Sequence, residues 1–128
     1  MRGLAGGDGL MLELERQAAT GDAAAELAVD VFVHRLAGAV AAMAAAAGGI
    51  DVLVFTAGIG ERSAHVRERV CVRLAFLGIV IDTQRNGAAE PDCDVAADES
   101  PVRVAVVRAR EELVAARAAR AVLGARSA

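Results

Sequence analysis

Residues 50–60 read Ile-Asp-Val-Leu-Val-Phe-Thr-Ala-Gly-Ile-Gly and carry the strongest structural signal in the chain. Its first part, Ile50 to Phe55, is a short and nearly continuous apolar run rich in β-branched residues, which predicts a strand buried on both faces in a parallel sheet. Its second part, Thr56 to Gly60, predicts a turn, because its two glycines let the backbone bend sharply and approach a ligand closely. The sequence therefore predicts a buried strand that ends at a glycine turn.

Two helices are predicted before this strand. The glycine-rich residues 1–10 are expected to form a loop, and the spacing of apolar residues then predicts a short helix from Met11 to Ala19. Asp22 is a good N-cap for a long helix that Gly48-Gly49 ends. The stretch Leu36 to Ile50 is shorter than the roughly 18 to 20 residues of a membrane span, so we expect a buried helix there. Apolar residues recur along the long helix at three- and four-residue spacing: Leu27, Val31, Phe32, Leu36, Val40 and Met43.

The residues after the turn predict a second strand between two helices. Ser63 is expected to cap a helix that Gly78 ends, before a brief extended piece at residues 79–81. Residues 82–100 show little periodicity and predict a surface loop. The run Val102–Val107 predicts another buried strand. The final helix is expected over Glu111–Leu123, with four residues directed inward: Leu113, Val114, Ala118 and Val122.

This order of elements is typical of an α/β unit in which helices cover parallel strands. A sheet usually has about four to six strands, and two core strands alone would leave apolar flanks unpaired. The chain is therefore expected to form a single partial domain over residues 1–128, as part of a larger sheet.

Composition excludes several classes of function. The chain has 128 residues and a net charge of −3, which argues against a nucleic acid or a membrane as its partner. Every basic residue is Arg, so chemistry that needs a lysine is excluded. Cys71 and Cys93 are too few for a disulfide scaffold and predict reduced thiols in a cytoplasmic protein. Cys71 is expected to be a core thiol, and His34 and His65 partly buried or surface residues of helices.

Ligands of α/β sheets bind at the carboxyl ends of the strands, and the sequence offers two such ends. After the first strand, the backbone of the glycine turn can face an anion or an adenosine. After the second strand, the paired carboxylates of Glu111 and Glu112 begin a helix. Each feature also has a purely structural interpretation, since glycines serve tight turns and acidic residues stabilise a helix N-terminus.

The residues around the turn resemble those of acetate kinase and its propionate and butyrate kinase relatives. The resemblance rests on Asp51–Ser63, Val66-Arg67-Glu68, Phe76–Ile79 and Glu111-Glu112-Leu113, and it extends back to Gly3–Gly6. It implies an actin-like fold, of the sugar kinase, Hsp70 and actin type, and the C-terminal nucleotide-binding portion of a phosphotransferase. The implied reaction converts ATP and acetate to ADP and acetyl phosphate with Mg²⁺.

The resemblance also assigns roles to individual residues. Gly58, Ile59, Gly60, Glu61 and Arg62 match the family's loop along the adenosine and its α-phosphate, and Glu111 matches a glutamate that helps to position Mg²⁺. The family's phosphate-site and acyl-site residues lie upstream of the matched region, so no catalytic residue is expected in this chain. Acetate or another short carboxylate would bind only with the missing upstream part. The family's C-terminal domains form its homodimer contact, which implies a homodimer here.

Three positions depart from the family pattern. Arg62 stands where the family has an asparagine, and Leu10 and Leu12 stand where it has an aspartate and an arginine that contact the nucleotide. A guanidinium can only donate hydrogen bonds, whereas an amide both donates and accepts. Two hypotheses follow: the chain is a truncated or split part of a kinase, or it is a non-catalytic remnant that binds nucleotide weakly or only pairs with a partner chain.

Overall fold

The computed structural model describes residues 5–125 of the chain. Six helices, three strands and one 3-10 turn follow one another in these residues, in the general order that the sequence predicts. Their bounds are α1 Ala5–Ala19, α2 Ala23–Ala47, β1 Val52–Thr56, α3 Ala57–Arg62, α4 Ala64–Arg73, the 3-10 turn Ala75–Leu77, α5 Thr83–Gly87, β2 Cys93–Asp94, β3 Arg103–Val107 and α6 Glu111–Ala125. The expected loop over residues 1–10 is wrong from Ala5 onward, because α1 begins there, and residues 1–4 lie outside the described part.

The sheet has the order β1-β3-β2. β1 and β3 run parallel, with Val52 opposite Arg103 and Thr56 opposite Val107, as the sequence predicts. β2 pairs antiparallel with the other side of β3. Within residues 5–125, β1 is therefore an edge strand with one partner, which agrees with the expectation of a larger sheet.

β1 is buried on one face only, so the expectation of burial on both faces is wrong. Phe55 is buried, whereas Val52 and Val54 are each 50% exposed. In β3 the alternation is clear, since Val104 and Val106 are fully buried. On the other face of the sheet, the β3 residues Arg103, Ala105 and Val107 are only partly buried. This face is therefore incompletely covered within the described residues, which explains why the apolar run of β1 is half exposed.

The core lies between the sheet and the helices α2 and α4. The buried face of α2 consists of small residues, and half of the apolar stripe expected from the sequence packs against the core. Phe32, Leu36 and Val40 are partly buried there, whereas Leu27, Val31 and Met43 are 64%, 47% and 66% exposed. The core-facing residues of α2 are Ala25, Val29, Val33, Ala37 and Ala44.

The expectation of a buried helix over Leu36–Ile50 holds for one side only, where Ala37 and Ala44 are buried and other residues pack against the core: Leu36, Val40, Ala41 and Ile50. α2 is long and apolar enough to cross a membrane by length and composition, but the core helices of soluble proteins also meet this criterion.

Both predicted helix caps are confirmed. The side chain of Asp22 accepts hydrogen bonds from the backbone N–H groups of Ala24 and Ala25, and the Ser63 hydroxyl accepts one from Val66 at 2.9 Å. At the other end of α2, Gly48 has φ 76°, a left-handed conformation that favours glycine. These caps place the starts of α2 and α4 where the sequence predicts them. The expectation that the helix after Ser63 continues to Gly78 is wrong, because α4 ends at Arg73 and the 3-10 turn Ala75–Leu77 precedes Gly78.

Residues 82–100 are more ordered than a surface loop. They contain the short helix α5 and the strand β2, and Val95 and Ala96 are completely buried. Asp82 caps α5 through two backbone N–H groups. Each of these elements contains only a few residues, so the apolar periodicity is too short to detect in the sequence. The loop prediction is therefore wrong in this part.

The final helix is present, but its packing differs from the expectation. All residues from Glu111 to Arg120 are exposed, including Leu113 at 51% and Val114 at 68%. The inward positions expected at Leu113, Val114 and Ala118 are therefore wrong, and the side chain of Val122 lies outside the described part. The apolar side of α6 has no packing partner among the described residues.

Candidate functional site

A cleft of about 500 Å³ lies at the carboxyl ends of β1 and β3. Because the two strands run parallel, the segments that follow them meet at the same edge of the sheet. The cleft contains most of the predicted site residues, and its lining consists of Thr56, Ala57, Gly58, Ile59, Glu61, Arg62, Ala109, Glu111 and Glu112. The structure therefore brings the glycine turn and the carboxylates of α6 together.

Gly60 is the predicted site residue that does not line this cleft. It is buried beneath the turn, and a methyl group added to it would lie 3.4 Å from the carbonyl carbon of Phe55. The second glycine therefore serves close packing of the turn on β1. Any contact that Gly60 makes with a nucleotide stays a prediction.

The turn contains a strained residue. Ala57 has φ 56°, the left-handed region that a non-glycine residue seldom adopts, and Gly58 follows with a non-helical backbone that kinks α3. Strained backbone of this kind persists where its surroundings hold it in place, and it is concentrated at functional sites. The backbone of Ala57 and Gly58 forms one wall of the cleft.

Glu61 holds the two sides of the cleft together. One carboxylate oxygen, Oε1, accepts a hydrogen bond from the Ala57 N–H at 2.9 Å and another from the Ala109 N–H at 2.7 Å. The first bond fixes the strained turn, and the second ties it to the segment that leads into α6. We refer to this arrangement as the Glu61 clasp. The resemblance predicts a nucleotide contact for Glu61, whereas the structure shows contacts with the protein backbone.

Asp92 pairs with Arg110, one of the two arginines that precede α6. Its carboxylate accepts hydrogen bonds from the Arg110 side chain and from the Arg108 N–H, the latter at 2.8 Å. These bonds hold the pKa of Asp92 below its ordinary value. Among residues 5–125, neither Glu111 nor Glu112 takes part in a salt bridge. Their carboxylates can therefore face a cation in the cleft.

Arg62 is exposed and borders two depressions. It lines the cleft and also a groove between α1 and the start of α4, where Ser63 donates a hydrogen bond to Glu15. Its guanidinium adds a positive charge at the rim of the cleft. A cation at this position suits an anionic ligand.

The two histidines and Cys71, for which the sequence predicts only structural roles, do not line the cleft. His34 and His65 are exposed on their helices. Cys71 is 1% exposed, and burial raises its pKa to about 12, so it is an unreactive core thiol as predicted. Sequence reasoning missed Asp92 and Ala109, because both act through contacts with residues far away in the chain.

Solved structures define the class of the fold. The chain is similar to the acetate kinase of Porphyromonas gingivalis, with a TM-score of 0.80 and 38% identity over 88% of this chain and 29% of that one. It is also similar to a propionate kinase from Francisella tularensis, with a TM-score of 0.74 and 38% identity over 80% of this chain and 26% of that one. The chain is thus part of an actin-like α/β kinase domain, as predicted.

The sequence comparison gives the family. A model described as the Acetokinase family matches residues 1–117, and an acetate kinase of Gloeobacter violaceus is 46% identical over 97 residues, 76% of this chain. The chain belongs to the Acetokinase family. It spans about a quarter of the length of the curated relatives that it matches.

Proposed function

We propose that this chain supplies the adenine-nucleotide side of an acetate-kinase-type phosphotransferase. The observation that carries the proposal is the cleft itself, in which the Gly58 turn and the carboxylate of Glu111 face one volume of about 500 Å³. The volume falls in the range of about 300 to 1,000 Å³ that is typical of small-ligand sites. In this proposal the backbone of Gly58 and Ile59 lies along the nucleoside, and Arg62 faces its phosphates.

The residues present fit a magnesium ion that is held mainly by phosphate. Residues 5–125 contain no group of three or more His, Cys, Asp or Glu side chains that could hold a metal. Mg²⁺ suits this situation, since it commonly uses one or two carboxylates, several waters and substrate phosphates. Glu111 would hold it, with Glu112 beside it, and the Asp92 contacts draw Arg110 away. When bound, Mg²⁺ would neutralise phosphate charge during phosphoryl transfer.

The rest of the site is proposed to come from the remaining length of the family's polypeptide. Whether it belongs to the same polypeptide or to a second one, it has surfaces to join, since the edge of β1 and the exposed Val52 and Val54 are available. A half-exposed apolar strand face of this kind marks an interaction site. We propose that the carboxylate substrate, acetate or another short acid, binds only to the completed enzyme. A second copy of the chain, which would form a homodimer, is a further proposed partner.

Binding is tested by calorimetric titration of the full chain with ADP, with and without Mg²⁺. A partial site is expected to bind Mg·ADP with a Kd of about 1 mM, which corresponds to about −4 kcal/mol. Glu111→Gln should weaken binding only when Mg²⁺ is present, because it removes the charge and keeps the size. The matched control Glu99→Gln changes an exposed carboxylate outside the cleft and should have no effect. Binding that ignores both Mg²⁺ and Glu111 would contradict the proposed metal site.

Catalysis is tested by complementation. Coexpression with a polypeptide that supplies the upstream three-quarters of a relative should give acetyl phosphate, which hydroxylamine traps as the hydroxamate. The same mixture without this chain is the control. A soluble complex that forms no hydroxamate would contradict the proposal that the chain retains its part of the active site. We also propose a cytoplasmic location for the chain, as the sequence predicts from its two cysteines.

A non-catalytic remnant is the second candidate. Leu10, which replaces a polar residue of the family pattern, is 61% exposed on α1, and Leu12 is half-buried. Neither side chain can donate to a ribose or a base. A folded chain that binds no ADP in either condition would favour this candidate over the kinase fragment.

A further inference from the structure

Arg67 is the largest fully buried side chain in the described part, at 2% exposure. Its guanidinium donates four hydrogen bonds from α4. Nη1 donates to the carbonyl oxygens of Gly60 at 3.0 Å and Glu61 at 2.9 Å. Nε donates to the Asn86 side-chain oxygen at 2.7 Å, and Nη2 to the Asn86 carbonyl at 2.9 Å. All four acceptors are neutral, although the group that they surround is charged.

A charge buried without a counter-charge is costly, and burial lowers the pKa of Arg67. The geometry shows what compensates for this cost. Gly60 and Glu61 lie in the last turn of α3, where the helix supplies no following N–H groups for their carbonyls, and a cation near a helix C-terminus is favourable. The planar guanidinium of Arg67 therefore donates hydrogen bonds to carbonyl oxygens at the C-terminal ends of both α3 and α5.

Asn86 completes the connection. It is 1% exposed, and its Nδ2 donates to the carbonyl oxygen of Ala64 at 2.8 Å. Asp82 fixes the other end of α5 through the N–H groups of Gln84 and Arg85. Neither Arg67 nor Asn86 lines the cleft, so they act on its wall from beneath.

We infer that Arg67 and Asn86 are positioning residues that hold the Gly58–Glu61 turn in its ligand-binding shape. Their role in nucleotide binding rests on the proposed function, whereas the order of the turn can be measured without any nucleotide. The pair makes α5 a support of the site, although α5 lies outside it. Lysine cannot replace Arg67, because a compact ammonium lacks the planar fork that reaches both carbonyl groups and Asn86.

Hydrogen exchange of the full chain, followed residue by residue by NMR, tests this inference. The N–H groups of Ala57, bonded to Glu61, and Ser63, bonded to Ile59 O at 2.9 Å, report on the turn. The N–H of Val95, bonded to Val104 O at 2.8 Å, reports on the core. In Arg67→Lys, exchange at the turn should accelerate about tenfold more than exchange at Val95. Asn86→Ala, the milder change, should give the same pattern.

Two controls separate positioning from general stability. Val70→Ala removes a fully buried core side chain from the same helix and should accelerate turn and core exchange by similar factors. Arg73→Lys alters an exposed arginine of α4 that pairs with Asp30 at 2.6 Å and should change neither. Equal acceleration of turn and core in both Arg67→Lys and Asn86→Ala would overturn the inference, and so would an unchanged turn.

Titration with Mg·ADP then distinguishes the two proposals. If the wild-type chain binds, Arg67→Lys should raise the Kd about tenfold, and Arg73→Lys should not. An unchanged Kd in Arg67→Lys would overturn the positioning role. If the wild-type chain does not bind, the proposed function fails, while the exchange pattern still decides whether Arg67 and Asn86 order the turn.

Discussion

Replacing Glu61 by alanine would break the clasp that joins the two sides of the cleft. The wild-type carboxylate accepts two backbone N–H bonds, at 2.9 Å from Ala57 and 2.7 Å from Ala109. Hydrogen bonds to charged groups contribute about 1.5 to 3 kcal/mol each, and the low end applies here because Glu61 is only half-buried. Two such bonds at the low end give about 3 kcal/mol, so we expect Glu61→Ala to lower the free energy of unfolding by about 3 kcal/mol.

Glu61→Gln is the informative partner of this variant. A glutamine side chain keeps one carbonyl oxygen of the same reach and can accept both N–H bonds, so it should cost less than about 1 kcal/mol. Urea unfolding monitored by circular dichroism measures the difference. The exposed Glu90 provides the control, since Glu90→Ala should change stability by no more than about 0.5 kcal/mol.

A local readout makes the test of the clasp sharper. In Glu61→Ala, hydrogen exchange at the N–H groups of Ala57 and Ala109 should accelerate, while in Glu61→Gln both should stay protected. Equal stability of the two variants, or continued protection of both groups in Glu61→Ala, would refute the role assigned to the carboxylate.

Three further predictions concern other parts of the chain. Ala57→Gly should stabilise the protein by about 0.5 kcal/mol in urea unfolding, because relief of the left-handed φ of 56° exceeds the entropy cost of glycine; Ala42→Gly, on the exposed side of α2, should destabilise by about 1 kcal/mol. Iodoacetamide at pH 8 should modify the half-buried Cys93 in the native protein and Cys71 only on unfolding, as mass spectrometry of the labelled peptides would show. Hydrogen bonds from Arg110 and from the Arg108 N–H lower the pKa of Asp92 in the folded protein. They therefore stabilise the fold above a pH of about 3.9, the ordinary pKa of an aspartate, and this stabilisation is lost as the pH falls through the lower pKa of the folded state. Asp92→Asn should therefore flatten the loss of unfolding free energy below about pH 4, and an unchanged slope would contradict this contribution.

Local signals made much of the fold predictable. Asp22 and Ser63 cap helices where the sequence places them, because a cap needs only a side chain and the N–H groups two or three residues later. The strand ending at Phe55 and the turn after it were also predictable, since composition changes abruptly there. In each case the physical cause lies within a few residues.

The packing of the helices was not predictable in the same way. α2 is apolar nearly all round, so periodicity alone could not select the Val29 and Val33 face over the Leu27 and Val31 face. The exposure of Val114 on α6 could not be predicted from periodicity either. No element among the described residues packs on this side chain, and the chain matches only about a quarter of the length of its relatives. Burial depends on partners that the periodicity does not contain.

The candidate site shows the same division. Gly58, Ile59 and Glu111 were identified from their sequence motif and lie together in the cleft. Arg67 and Asn86 were missed as a pair because 19 residues separate them and neither residue type indicates burial. The one available signal was the position of Arg67 between Val66 and Val70, on the apolar face of α4.

The proposed function depends on the claim that the cleft beside Gly58 binds a magnesium nucleotide, and NMR of the amide groups during titration with ADP can test this claim. With Mg²⁺ present, the claim predicts chemical-shift changes concentrated at residues 56–62 and 109–112, which become smaller in Glu111→Gln. Changes centred on the groove between α1 and α4, or no changes in a folded chain, would contradict it.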